Sequence, residues 1–453
     1  MNHRRLLVPL FLLLSFALIA CTISLPVLPT TPPEEDIVAT AVQATLNAGA
    51  PPADATLPPA EPTAALVEPT VAPPTYSGPI AEFAYTDTNR NLWAWSQENG
   101  LRQLTVTADV DRSLLSPDGS RIVYVRTLDW SAFSVWTVYA DGTGNRELIS
   151  TYSLNLFPHA TDAMGNAPIQ LAWLPGNPSV VAFNTRSVFQ MGLMTNDDLW
   201  FLNLDTGELT NQLTSGSGGY FYFSPDGSQI AISKPTSISL LNTDGTNIRY
   251  DVATFLQVNT ASEYLFCPPI TWSPDGASIL FAIPPQEPWG TSDPTYVYSI
   301  NATTLAQTEL AQLPGALLNS TTISPAGTHA AWMRTDPANN LEMRLYNLTS
   351  GTDTYFATQT TEAIWSPGGQ YFLSGNQIAP GGPVVYDVGA YPNALSASGY
   401  LVDGIWMEYT RFAILLATDT AYEVRVGSAS QVDTILIASL PKSSSGYMPS
   451  LSQ

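Results

Sequence analysis

The sequence predicts an all-β chain, a β-propeller of four-stranded antiparallel blades, most simply eight of them with seven as the rival count. Three observations carry that expectation. A short unit recurs: Leu115-Ser-Pro-Asp-Gly-Ser-Arg-Ile-Val-Tyr-Val125, Phe223-Ser-Pro-Asp-Gly-Ser-Gln-Ile-Ala-Ile-Ser233 and Trp272-Ser-Pro-Asp-Gly-Ala-Ser-Ile-Leu-Phe-Ala282. Degenerate copies follow at Ile323-Ser-Pro-Ala-Gly and Trp365-Ser-Pro-Gly-Gly, with a looser one at Trp173-Leu-Pro-Gly-Asn. Each copy is an apolar strand, a tight turn and a second apolar strand. Ser opens the turn, Pro presets φ at the second position, and Gly at the fourth accepts positive φ. The spacing between turns runs from 42 residues (Ser324 to Ser366) to 58 (Ser116 to Leu174). A repeat of that period marks an array of identical supersecondary units with loop insertions.

In chain order, residues 1–21 read as an export leader. His3, Arg4 and Arg5 form a basic start, Leu6 to Ile19 is apolar, and Leu18-Ile-Ala-Cys21 is similar to the bacterial lipobox. The resemblance implies a diacylglyceride on Cys21 and a lipid-anchored protein on the extracytoplasmic face of the cell membrane. Residues 22–77 are rich in Pro, Thr and Ala, a composition that buries too little surface to fold and works as an extended linker. Within it Thr31 and Glu34 have capping-box spacing, Pro32 suits a first turn and Gly49 a stop, predicting a short helix near 32–48. The propeller domain spans 78–453. Its first unit lacks the strand that precedes the turn elsewhere, and the C-terminal Gly446-Tyr-Met-Pro-Ser-Leu-Ser452 has the character to supply it, closing the ring.

Composition narrows the chemistry. The chain carries 16 Lys and Arg against 38 Asp and Glu, a net charge of −22. Removing residues 1–20 removes Arg4 and Arg5, leaving 14 against 38, or −24. Such a field repels phosphate backbones, so nucleic acid is not an expected partner. Beyond Cys21 the single cysteine is Cys267, expected as a small buried hydrophobe. His159 and His329 are the only histidines after the leader, so no metal site is expected, and no cofactor fingerprint is present.

At the recurring Ser-Pro-Asp-Gly turns, with Asp-Gly or Thr-Gly and a Leu-Thr ending further along each unit, the chain resembles the TolB-type, WD-repeat-like propeller family. The resemblance implies the fold over about 360 residues. Propellers of this kind serve as protein-interaction platforms or gate prolyl-oligopeptidase-like hydrolases, but no Gly-x-Ser-x-Gly nucleophile elbow occurs here. The turn residues Asp118, Gly119, Asp226, Gly227, Asp275 and Gly276 are therefore read as structural.

Candidate binding residues come from topology. In a four-stranded blade, the connection entering the first strand and that between the second and third emerge on one face, the loop face. The Ser-Pro-Asp-Gly and Asp-Gly turns emerge on the other, the turn face. The long connections Thr151–Pro168, Asn184–Asp198, Val252–Pro269 and Ile283–Thr295 all fall on the loop face. They and their surroundings carry Trp130, Phe157, His159, Phe189, Met191, Met194, Phe255, Tyr264 and Trp289, a composition suited to a protein or polysaccharide of the cell envelope. The expected function is a surface-tethered, non-catalytic binding module. The alternative is a glycan-acting hydrolase or lyase with carboxylates at the central channel.

Overall fold

A computed structural model describes residues 76–452, apart from 130, 190–192, 196–197, 263, 290–292, 359–362, 376–381, 390–392 and 443–446. Cys21 with its leader, the helix expected near 32–48, Trp130 and Met191 lie outside the described residues. The 33 strands form eight separate antiparallel sheets, seven of four strands and one of five. Within each blade the strands are named a to d in pairing order. Blade 2 is typical: Val110–Leu115, Arg121–Thr127, Phe133–Tyr139 and Arg146–Ile149 pair in sequence. The a strands of neighbouring blades touch and form the inner ring.

Eight is the blade count, and the C-terminal tail closes the ring. Ser450–Ser452 is strand a of blade 1, paired with Phe83–Thr86 in the register Ala84↔Ser452, Tyr85↔Leu451 and Thr86↔Ser450. The Leu451 amide donates to Asp403 Oδ2 in blade 8 at 2.9 Å, and the Tyr447 hydroxyl donates towards the Asp111 carbonyl in blade 2 at 3.2 Å. One short tail thus ties the first, second and last blades together.

Each b strand is apolar on both faces because it lies between two blades. Ile279 and Phe281 of blade 5, for example, pack with Ala231, Ile238 and Leu240 of blade 4 in one core. The recurring turns are built alike. Ser116 Oγ donates to Asp118 Oδ1 at 2.6 Å, the Ser120 amide donates to the same oxygen at 3.1 Å, and the Gly119 amide closes the turn on the Ser116 carbonyl at 2.8 Å. Ser224 with Asp226 and Ser273 with Asp275 repeat the 2.6 Å contact. Gly119, Gly227 and Gly276 stand at φ +71°, +72° and +67°, where a side chain is strained.

The tryptophan ending several a strands staples blade to blade. The indole N–H of Trp272 donates to the Tyr222 carbonyl of blade 4 at 2.9 Å, that of Trp365 to Thr322 Oγ1 of blade 6 at 3.0 Å, and that of Trp406 to the Ile364 carbonyl of blade 7 at 2.8 Å. A large ring fills the wedge between blades while its polar edge finds a partner.

Blade 3 departs from the expected plan. Strand a begins at Gly165 and strand b runs Asn177–Val188, while Leu193–Thr195 folds back on it, so the end of the connection expected at 151–168 and much of that expected at 184–198 is sheet. The anchor is Asp198, 0 % exposed, which accepts the Thr185 amide at 2.6 Å, the Thr185 hydroxyl at 2.7 Å and the Trp200 indole N–H at 2.7 Å. Meeting three donors with one carboxylate lets the hairpin grow past the blade without leaving buried groups unpaired. Among the described residues the one helix is Thr151–Leu154, and none is long and apolar enough to cross a membrane.

Candidate functional site

Exposed apolar surface is unevenly distributed. Of the 19 large apolar side chains exposed among the described residues, eleven stand in d-to-a or b-to-c connections or at the strand ends they join, and four (Ile80, Tyr409, Val432 and Ile435) in the opposite turns, at their strand ends or on the chain entering blade 1. One group, Leu128, Tyr152, Leu156 and Met164, belongs to the connections of blades 2 and 3; another, Leu256, Tyr264, Leu265 and Trp289, to those entering and crossing blade 5.

Tyr264, Leu265 and Trp289 of the second group border a cavity of about 670 Å³ where residues of blades 4, 5 and 6 converge. Tyr220 and Tyr222 of strand a in blade 4 lie along it, with Tyr264 to Cys267 and Trp289 from blade 5, and Leu318 and Asn319 from the connection into blade 6. Asn259 holds the two blade 5 connections together through all its polar groups. Its amide N–H donates to the Gln286 carbonyl at 2.8 Å, its carbonyl accepts the Trp289 indole N–H at 3.0 Å, its Nδ2 donates to Glu287 at 2.9 Å, and its Oδ1 accepts the Ala261 amide at 2.9 Å. Ala261 sits at φ +52°, a conformation this local network sustains. Thr260 Oγ1 then donates to the Tyr264 carbonyl at 2.6 Å, which fixes the loop tip.

Two tyrosines give the cavity its polar character. The Tyr220 hydroxyl accepts from Arg186 Nη2 at 2.9 Å, with the guanidinium 5.7 Å from the ring centroid. Burial, with Cys267 and Tyr220 beside it, pushes the Tyr222 hydroxyl up to about 12, so it stays neutral across the physiological range.

The sequence-predicted residues divide by environment. Tyr264 and Trp289, each 56 % exposed, share this cavity. Phe157 is buried, with ring centroids 4.4 Å from Trp200 and 6.3 Å from Phe183, and Phe255 packs half-buried on the core between blades 4 and 5. His159 stands exposed, Nδ1 donating to the Phe157 carbonyl at 2.7 Å, and Phe189 is half-buried. Met194 pairs with Ser187 in the added strand of blade 3. Sequence reasoning did not single out Asn259, Tyr220, Tyr222 or Asn319. The alternating Tyr220-Phe-Tyr-Phe223 signals an inner strand, but nothing local shows where its tyrosines point.

At the central channel, the innermost strands contribute two acids among the described residues, Asp111 and Asp403. Asp111 pairs with Arg112 at 2.7 Å. Asp403 accepts the Gly404 and Leu451 amides at 2.8 and 2.9 Å, and its burial raises it above the usual carboxylate range. Among the described residues no three of His, Cys, Asp and Glu gather closely enough to hold a metal ion.

No protein-family model matches the chain, and no curated protein does. Among solved structures, a prolyl endopeptidase is similar over 73 % of this chain and 50 % of its own, at 12 % identity and a TM-score of 0.50. An oligogalacturonate lyase in complex with manganese aligns over 65 % of this chain and 81 % of its own, at 17 % identity and a TM-score of 0.46. TolB from Acinetobacter baumannii aligns over 80 % and 78 %, at 14 % identity and a TM-score of 0.38. At such identities the likeness is one of fold alone: this chain is an eight-bladed β-propeller, similar in architecture to propeller proteins of differing activity.

Proposed function

We infer that the protein is a non-catalytic binding module, tethered to the extracytoplasmic face of the cell membrane through Cys21, that holds a component of the cell envelope on its loop face. The observation that carries this reading is the concentration of exposed apolar side chains on that face, eleven against four on the turn face. The path of the chain supports it. Tyr76 stacks on Tyr139 with centroids 4.6 Å apart, and the Ala81 amide donates to the Gly119 carbonyl, so the linker reaches the propeller on the turn face. The two acids on the innermost strands, Asp111 and Asp403, each bond to partners of their own, Arg112 and the Gly404 and Leu451 amides, rather than to each other.

The test is sedimentation of the compact unit 72–453 with purified envelope fractions. Replacing Leu256, Tyr264 and Trp289 by Ser is expected to weaken retention roughly tenfold or more, while Tyr409→Ser on the turn face leaves it unchanged. Equal retention of both variants would sink the assignment.

A further inference from the structure

The cavity between blades 4, 5 and 6 has a chemistry that selects among ligands, and its reading rests on the loop face being the binding face. Among the described residues every side chain lining it is uncharged, in a chain of net charge −22. Trp289 is half exposed, yet its indole N–H is already committed to the Asn259 carbonyl at 3.0 Å. What remains for a ligand is the ring face, whose negative quadrupole attracts polarised C–H groups. Hydroxyls and an amide from Tyr220, Ser262 and Asn319 stand around the same space. The Tyr220 hydroxyl is aimed by Arg186 rather than left to rotate.

We propose that this cavity binds a neutral oligosaccharide, one pyranose ring stacked on Trp289 and its hydroxyls bonded to Tyr220, Ser262 and Asn319. A pyranose presents a C–H face and a rim of hydroxyls, the pairing this lining matches. The volume of about 670 Å³ lies within the range of small-ligand sites and exceeds the space one sugar ring needs. Among the described residues the lining holds no basic side chain to pair with an anionic sugar. Among the described residues the lining holds no carboxylate to pair with a cationic ligand. Asn259 is a positioning residue, holding the Trp289 ring through the connection it anchors.

The experiment is calorimetric titration of the full chain, purified in detergent, with cellohexaose, chitohexaose and mannohexaose, and with hexagalacturonate as the anionic arm. At least one neutral hexasaccharide is expected to bind at micromolar to millimolar concentration, and hexagalacturonate not to bind. Trp289→Ala and Tyr264→Ala should each weaken binding roughly tenfold with the thermal midpoint unchanged, since both side chains are exposed. Asn259→Ala keeps the backbone bonds to Trp289 and Gln286 and loses the side-chain bonds to Glu287 and Ala261, so a smaller loss is expected, and Trp289→Phe, which keeps a ring face, should restore much of the loss in Trp289→Ala. Failure of all three neutral sugars, preference for hexagalacturonate, or undiminished binding by both Trp289→Ala and Tyr264→Ala overturns the proposal. Envelope retention that depends on the loop face and is competed by a casein digest, with no sugar bound, assigns the cavity to peptides. That outcome overturns the sugar reading while leaving the binding-module reading intact.

Discussion

Two kinds of aspartate with opposite electrostatics stabilise this fold. In the turns, Asp226 and Asp275 are held below the usual carboxylate range by the hydroxyls of Ser224 and Ser273 and by the following amides. Burial pushes Asp118 up, but hydrogen bonds from Ser116 and Ser120 outweigh it and lower it as well. A carboxyl lowered in the folded state contributes stability above its unfolded value that is lost as pH falls through the folded one. Asp198 and Asp403 have the reverse sign: burial raises both, so their contribution is greatest in acid and declines as pH rises through their raised values. The turn carboxylates should dominate the acid limb. Denaturant midpoints are therefore expected to fall below about pH 4. The combined Asp118→Asn, Asp226→Asn and Asp275→Asn variant should be weaker at neutral pH with a flatter acid limb; an unchanged pH profile would contradict this account. Asp198→Ala removes, at a position 0 % exposed, the carboxylate that accepts the Thr185 amide, the Thr185 hydroxyl and the Trp200 indole N–H. It should cost about 3 kcal/mol in urea unfolding, where a surface acid removed would cost almost nothing.

The blade is a local invention, and for that reason most of it was legible. The repeated turn encodes its own geometry in four residues, and flanking apolar runs of five or six can only be strands buried between neighbours. Gly119 shows how the turn also serves the next blade: a Cβ there would lie 2.3 Å from the Ala81 carbonyl of blade 1. Gly176, at φ +75° in the equivalent turn of blade 3, has nothing within 4 Å. Gly119→Ala is expected to cost about 2 kcal/mol or more and Gly176→Ala about 1 kcal/mol, the difference being the inter-blade contact. Equal losses in chemical unfolding would show that the φ strain alone matters. The extension of blade 3 was misread as loop because Asn184 to Asp198 mixes polar residues with Val188, Phe189, Met191, Leu193 and Met194 in no strand alternation. Its strands exist because Asp198 satisfies donors brought to it from Thr185 and Trp200, a partnership that spacing along the chain does not announce.

At the scale of the whole molecule, closure is the cooperative step. A chain ending before Tyr447 would lose the a strand of blade 1, the Tyr447 contacts with blade 2 and one partner of buried Asp403. It should melt at least about 10 °C lower and self-associate through the exposed edge. A truncated chain that melts like the intact one and stays monomeric in size-exclusion chromatography would refute the role given to the tail. From its residues alone this protein could be known as a closed ring of look-alike blades, because turn chemistry, strand pairing and the missing first strand are all written in short stretches. The cavity could not. Tyr220 comes from a strand of blade 4, Asn259 and Trp289 from connections of blade 5 and Asn319 from the connection into blade 6, and only the packing of the blades and the hydrogen bonds within those connections bring them to one place. Neighbouring residues dictate local backbone geometry, whereas a binding surface depends on which distant groups are left unpaired after the blades have packed.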